Sequence, residues 1–295
     1  MESEVKKSSL STLQSRLSLF WVNRLHLHLP VPVLREICAY FPSVPRHTLP
    51  SLHGNLLRFL NLHSHKVTSR LVDKAFPRGT AYCLIHTEEI MCVGGTPATR
   101  EAWRVGFDAV LPIESMRKMR EAAGICPIGA LIYLFGGVCG RKRLTSCEQY
   151  SLKTGKWGSA GKMKVGKACF TPCLDGSLVY LLDLCSNSTT LEVFCPATGQ
   201  FSTTPIAISG LFNHSLCGII DDFLLIFTAD GDFTSISLPL RSQIIPFPTN
   251  CSTLGPHILC LTPPLVLNST LYWAEVATGA FWQADSSGNA REWVN

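Results

Sequence analysis

The sequence predicts an all-β fold assembled from a repeated strand unit, and three observations lead there. First, residues 132–157 read IYLFGGVCGRKRLTSCEQYSLKTGKW: an apolar strand, the pair Gly136–Gly137, then Tyr150 and Trp157. Second, a matching segment at 81–95, AYCLIHTEEIMCVGG, places Gly94–Gly95 42 residues before Gly136–Gly137. Third, apolar runs recur in pairs around short polar turns, Asp175–Gly176, Asp221–Asp222 and Asn268–Ser269. Such turns between short alternating or apolar runs are hairpin signals.

Each unit can be followed along the chain. Paired glycines let the backbone turn tightly where neighbouring units crowd. The two aromatics supply large apolar areas for packing one unit on the next. In the unit starting at Ala168, Phe194 takes the Tyr150 position and Phe201 the Trp157 position, and Thr198–Gly199 repeats Thr154–Gly155. Asp183–Leu184 stands there in place of the glycine pair. In the 81–95 unit, Phe107 lies near the expected aromatic position. Downstream, Ile236-Ser237-Leu238 echoes Tyr150-Ser151-Leu152, and residues 264–282 bring Trp273, Phe281 and Trp282. RFLNLHSHKV (58–67) matches EQYSLKTGKW (148–157), with Leu60 and Val67 at the aromatic positions, as the outer half of a leading unit.

The spacing of Gly136–Gly137, Tyr150 and Trp157 resembles a kelch repeat, and the chain resembles the kelch-repeat β-propeller family over residues 51–295. That resemblance implies a ring of four-stranded blades, six by this count with five as the alternative. It implies a structural signature at Gly94, Gly95, Gly136, Gly137, Tyr150, Trp157, Phe194 and Phe201. Residues 1–50 form a separate N-terminal extension, in which Val33–Tyr40 reads as a short helix bracketed by prolines. LPVPVLREICAYFPSVP (29–45) also has a faint likeness to the opening of an F-box.

Composition narrows the function classes. At 46% hydrophobic and 16% charged residues, the 295-residue chain supports a packed core and excludes wholesale disorder. No apolar run approaches a membrane span, and the first twenty residues lack an apolar signal region, so the expectation is a cytoplasmic protein. The cysteine count of 13 is odd, no Cys-x-x-Cys occurs, and Cys83, Cys92, Cys126, Cys217 and Cys260 sit in apolar runs as core thiols. Four glycosylation sequons begin at Asn187, Asn213, Asn250 and Asn268, and read as chance in a Ser/Thr-rich chain.

Charge divides sharply. Residues 1–167 hold 24 Lys and Arg against 11 Asp and Glu, a net of +13; residues 168–295 hold 2 against 10, a net of −8. Opposed arcs of one ring would then carry opposite sign and steer a charged partner.

Motifs that suggest chemistry fall short on inspection. Gly161-Lys-Met-Lys-Val-Gly166-Lys167 has phosphate-loop spacing, but Ala168 replaces the Mg²⁺-binding hydroxyl, and its lysines read as a solvated loop between units. The pairs His26/His28 and His63/His65 share strand faces but lack further ligands. Asp230-Gly231-Asp232 lacks the later acidic ligands of a calcium loop. No nucleophile elbow or Gly-x-Gly-x-x-Gly occurs. No cofactor, metal site or catalytic residue is expected.

The function expected is therefore a non-catalytic, monomeric protein-interaction scaffold. Its candidate contact residues are basic: Arg100, Arg104, Arg117 to Arg120, and above all Arg141, Lys142 and Arg143, which suit an acidic protein partner. Nucleic acid is not the expected partner. Two alternatives stand beside it: an F-box-like substrate receptor of a ubiquitin ligase, and an enzyme with a scattered site at the propeller channel.

Overall fold

A computed structural model of the chain describes residues 47–86, 88–175, 178–182, 190–205, 215–220, 223–228, 233–237, 244–246, 264–267, 269–275, 278, 280–285 and 290–293. Every regular element among them is a β-strand. Ser43–Asn295 form one compact unit. The helix expected at Val33–Tyr40 and the F-box-like segment 29–45 lie outside the described residues, as do His26, His28, Cys260, Asp230-Gly231-Asp232 and the four sequon asparagines.

The strands form a succession of antiparallel sheets in chain order. The first contains β1 (Thr48–His53), β2 (Leu56–Asn61) and β3 (Lys66–Leu71). The second contains β4 (Ala81–His86), β5 (Glu89–Val93), β6 (Ala102–Gly106) and β7 (Val110–Pro112). In the third, β8 (Gly124–Ile128) and β9 (Leu131–Phe135) are followed by a two-stranded ribbon, β10 (Val138–Cys139) and β11 (Lys142–Arg143). That sheet is completed by β12 (Ser146–Ser151) and β13 (Lys156–Lys162). The fourth runs β14 (Cys173–Asp175), β15 (Leu178–Leu181), β16 (Thr190–Cys195) and β17 (Gln200–Pro205). The fifth runs β18 (Ser215–Ile220), β19 (Phe223–Thr228), β20 (Phe233–Ser237) and β21 (Ile244–Pro246). The sixth runs β22 (Leu265–Leu267), β23 (Thr270–Ala274), β24 (Phe281–Asp285) and β25 (Ala290–Glu292).

Each sheet packs on the next through an apolar layer. Leu57, Phe59, Phe76, Tyr82 and Ile90 join the first two sheets, and Met91, Ile125, Leu134, Tyr150 and Trp157 join the next pair. Phe135, Phe170, Val179 and Phe194 continue the layer, followed by Tyr180, Leu191, Cys217 and Ile226. Finally Leu49 and Leu60 meet Ala274 and Phe281, so the last sheet returns to the first. Stacking sheets into a ring buries apolar side chains on both faces of inner strands such as β5 and β9, which explains the high apolar content. Five of these are complete four-stranded propeller blades.

Backbone bonds show which strands the three-stranded sheet contains. Val72 N–H donates to Asn55 O (2.8 Å), as Met116 N–H does to Arg100 O (2.9 Å) and Met163 N–H to Thr145 O (2.8 Å). Leu62 N–H donates to His47 O (2.6 Å), matching Leu152 N–H to Ala130 O (2.9 Å). Strands β1 to β3 thus correspond to β9, β12 and β13, the second to fourth strands of a blade. The match between 58–67 and 148–157 is reproduced: Leu60 pairs Val67 just as Tyr150 pairs Trp157 and Phe194 pairs Phe201.

The same register corrects one position. In the second blade the Tyr–Trp pair is replaced by Val105 opposite Val110. Phe107 lies two residues further on and packs edge-on against Phe59 of the first sheet, centroids 5.2 Å apart. The turn between β6 and β7 is also shorter, with Val105 and its partner Val110 five residues apart and Tyr150 and Trp157 seven.

Candidate protein-interaction surface

Within an antiparallel blade, the loop joining the second and third strands emerges at the same end as the segment entering the next blade. At this end, called here the glycine end, residues 94–101 and 136–145 meet segments 113–123 and 163–172. The glycine pairs sit at this junction. Gly94 and Gly136 have φ of 68° and 58°, in the left-handed region that glycine tolerates. A Cβ on Gly136 would strike Lys167 O, and one on Gly94 would strike Arg120 O. Gly137 N–H donates to Lys167 O (2.8 Å) and Gly95 N–H to Arg120 O (3.2 Å). The paired glycines therefore let each blade touch the backbone entering its successor.

The aromatic signature lies at the opposite strand ends. Tyr150 and Trp157 have centroids 5.1 Å apart, and Phe194 and Phe201 4.7 Å apart. Trp157 also holds the connection between β7 and β8: its Nε1–H donates to Glu114 O (2.6 Å), and its backbone N–H to Glu114 Oε2 (2.9 Å). That backbone donor, aided by Lys156, holds the Glu114 carboxyl below the usual carboxylate range. Burial raises the Tyr150 phenol above its ordinary value. The turns Lys153–Gly155 and Ala197–Gly199 repeat one another, with Gly155 and Gly199 at φ of 67° and 68°.

Two buried ion pairs occupy equivalent places between blades. Arg120, 1% exposed, donates through Nη2 to Glu148 Oε1 (2.7 Å) and to Ser146 Oγ (3.0 Å), and through Nη1 to the carbonyls of Ser146 (2.8 Å) and Gly136. Glu148 also accepts the backbone N–H groups of Arg117 (2.8 Å) and Lys118 (3.2 Å). One blade on, Lys167 and Glu192 are fully buried, with Nζ 3.5 Å from Oε2, and Lys164 N–H donates to Glu192 Oε1. Met116-Arg117-Lys118-Met119-Arg120 thus aligns with Met163-Lys164-Val165-Gly166-Lys167, and each glutamate stands two residues before Tyr150 or Phe194.

These pairs revise two sequence expectations. Lys167 belongs to the packed interior, since it faces a buried carboxylate, whereas Lys162 and Lys164 are exposed as expected of a solvated loop. Arg120 leaves the list of partner contacts because its guanidinium is consumed by Glu148 and three further acceptors. Arg104 lies on β6 and forms a two-pronged ion pair with Glu89 (2.9 and 2.8 Å). Arg100 donates to Met116 O (2.6 Å). The buried cations were legible as an internal repeat, 47 residues apart, that the aromatic spacing overshadowed.

What remains for solvent is concentrated. Arg117, Lys118, Arg141, Lys142 and Lys164 are exposed, and Arg143 is half-buried. The ribbon β10–β11 carries Arg141 at its tip, with Cys139 opposite Lys142 and Val138 opposite Arg143. Among the described residues, no group of three or more His, Cys, Asp or Glu is arranged to hold a metal. His63 lies beside His47, centroids 6.2 Å apart, and His65 stacks on Trp293 at 5.2 Å. No described helix is long and apolar enough to cross a membrane.

A ring of antiparallel blades with glycine pairs at the inter-blade junctions defines a β-propeller. Residues 119–164, which include all four strands of the third blade, match the Kelch motif. No curated protein sequence matches the chain. Among solved structures it is similar to one described as "Structure of YjhT", at 10% identity and a TM-score of 0.51, covering 72% of this chain and 92% of that one. At that identity the likeness concerns fold alone.

Proposed function

We propose that this chain is a non-catalytic binding module that presents the glycine end of its propeller to an acidic protein partner. The observation carrying this reading is the ribbon Val138–Arg143, which extends from the glycine turn with Arg141 and Lys142 in solvent. The neighbouring cations Arg120 and Lys167 are spent on holding blades together, while Arg141 and Lys142 have no described carboxylate beside them. Charged groups left on a rigid rim act chiefly on encounter rate and selectivity.

Arg141→Glu combined with Lys142→Glu reduces recovery of the partner in affinity capture by about tenfold, without shifting thermal stability. Unchanged recovery with the folded double variant overturns the reading. In this reading the protein acts as a cytoplasmic monomer without a cofactor. The nine described cysteines are all free thiols, which fits a reducing compartment. Sedimentation velocity then shows one species near 32.4 kDa, and fractionation recovers it with cytoplasm. A dimer peak or a secreted fraction contradicts these points.

A further inference from the structure

The glycine end offers more than a charged ribbon. Three consecutive segments are stitched side by side there. Glu121 N–H donates to Val138 O (2.9 Å) and Val138 N–H to Glu121 O (2.8 Å), which ties residues 117–121 to β10. Gly137 N–H donates to Lys167 O, and Gly166 lies against the backbone of Arg143, which ties residues 163–167 to the other side. Across these three segments the acids number one, Glu121. Arg117, Lys118, Arg141, Lys142 and Lys164 all reach solvent.

Among these cations stands Met119, 48% exposed. Its repeat equivalent is Gly166, so the aligned segment of the next blade has no side chain there. The repeat therefore does not require a large apolar group at this place. Methionine is unbranched and polarizable and adapts to irregular apolar surfaces. An apolar anchor ringed by charges is the anatomy of a contact patch, with the anchor supplying affinity and the rim selectivity.

We infer that residues 117–119, the ribbon tip and Lys164 form one recognition strip for an extended acidic peptide that places an apolar side chain on Met119. The inference rests on the binding-module reading and adds the kind of ligand. Segments at strand spacing make the strip roughly 15 Å wide, a span met by about five extended residues. Carboxylates on the peptide meet the cations, and its apolar side chain covers the Met119 thioether. A nucleic acid backbone would use the cations and leave Met119 bare.

The test uses the full chain and two fluorescein-labelled peptides of equal charge, one alternating Glu with Leu and one alternating Glu with Ser. The Glu/Leu peptide binds about fivefold tighter, and Met119→Ser abolishes that difference while leaving thermal stability unchanged. Arg117→Glu with Arg141→Glu weakens both peptides about tenfold or more. Equal binding of the two peptides, no effect of Met119→Ser, or tighter binding of a single-stranded oligonucleotide than of either peptide overturns the inference. If a cellular partner still depends on Arg141 and Lys142 while the peptides show no Met119 preference, the binding-module reading survives and the strip does not. If reversal of Arg141 and Lys142 leaves partner recovery unchanged, both fall.

Discussion

Arg120 with Glu148 and Lys167 with Glu192 occupy the same place in consecutive blades, yet the two buried pairs are built differently. The planar guanidinium reaches a carboxylate, a hydroxyl and two carbonyls at once, and Glu148 is further held by two backbone N–H groups. The ammonium of Lys167 stands 3.5 Å from Glu192 Oε2, an ion-pair distance without a hydrogen bond at that oxygen. A guanidinium presents a rigid, planar fork of donors to acceptors converging from different strands, whereas an ammonium is a compact point charge on a flexible stem. Both oxygens of Glu148 accept hydrogen bonds whereas Glu192 Oε2 accepts none, so the carboxylate of the first junction is the more completely satisfied, and it lies inside the segment matching the Kelch motif. The lesson reaches function too: each junction segment divides its cations, one buried for the fold and others left for solvent.

The largest expected effect comes from breaking the better-made pair. Arg120→Met strands Glu148 and costs about 3–5 kcal/mol in urea unfolding. Arg120→Lys keeps the charge but leaves buried carbonyls without donors, at a cost of about 2 kcal/mol. If Arg120→Lys is neutral, the contrast between fork and point charge is wrong.

Trp157→Ala removes a 7%-exposed indole and its bond to Glu114, for a cost of about 3 kcal/mol. Glu192→Gln removes the second pair's charge while keeping an acceptor for Lys164 N–H. It leaves the fully buried Lys167 ammonium without its counter-charge and costs about 3 kcal/mol, less than Glu148→Gln, when both are measured by thermal unfolding. Equal losses would remove the distinction between the junctions. Smallest is Ala122→Gly. Ala122 and Cys169 occupy matching left-handed positions, φ 50° and 56°, two residues after Arg120 and Lys167. Their N–H groups donate to Gly79 O (2.8 Å) and Ala122 O (2.9 Å), linking blade to blade. Relief of the left-handed strain makes Ala122→Gly stabilising by up to about 1 kcal/mol.

Thiol reactivity separates interior from rim by chemistry. Burial pushes the Cys126 and Cys147 thiols up to about 12, so they stay protonated and unreactive at neutral pH. At the Ala197–Gly199 turn, the Thr198 hydroxyl and backbone N–H hold the Cys195 thiol below its ordinary value. Iodoacetamide labelling followed by mass spectrometry finds Cys195 modified first among the described cysteines, with its rate rising at lower pH than that of an ordinary thiol. Modification of Cys126 or Cys147 in the folded protein contradicts the burial.

Much of the architecture was legible in the sequence, and the reasons are local. Gly136–Gly137, Tyr150 and Trp157 encode a turn and a cross-strand pair at fixed spacing, and the equivalence of Leu60 and Val67 survived loss of both aromatics. The second blade was harder because Val105 and Val110 fill the pair's place without a distinctive residue type. The buried charges were misread for a different reason. A lysine looks alike in sequence whether it faces water or a carboxylate arriving from the next blade, and only the Met-x-x-x-cation repeat distinguishes Lys167 from Lys164. The candidate surface was half visible: the basic cluster Arg141–Arg143 stands out, but its continuity with Met119 depends on the backbone bonds between Glu121 and Val138.

The central claim is that the glycine end engages the partner. Hydrogen exchange of the chain, free and saturated with a captured partner, tests it directly. The account predicts protection at residues 117–121, 138–143 and 163–167, with the opposite turns at 152–155 and 196–199 unchanged. Protection confined to those opposite turns, with the glycine end exchanging as in the free protein, would contradict it.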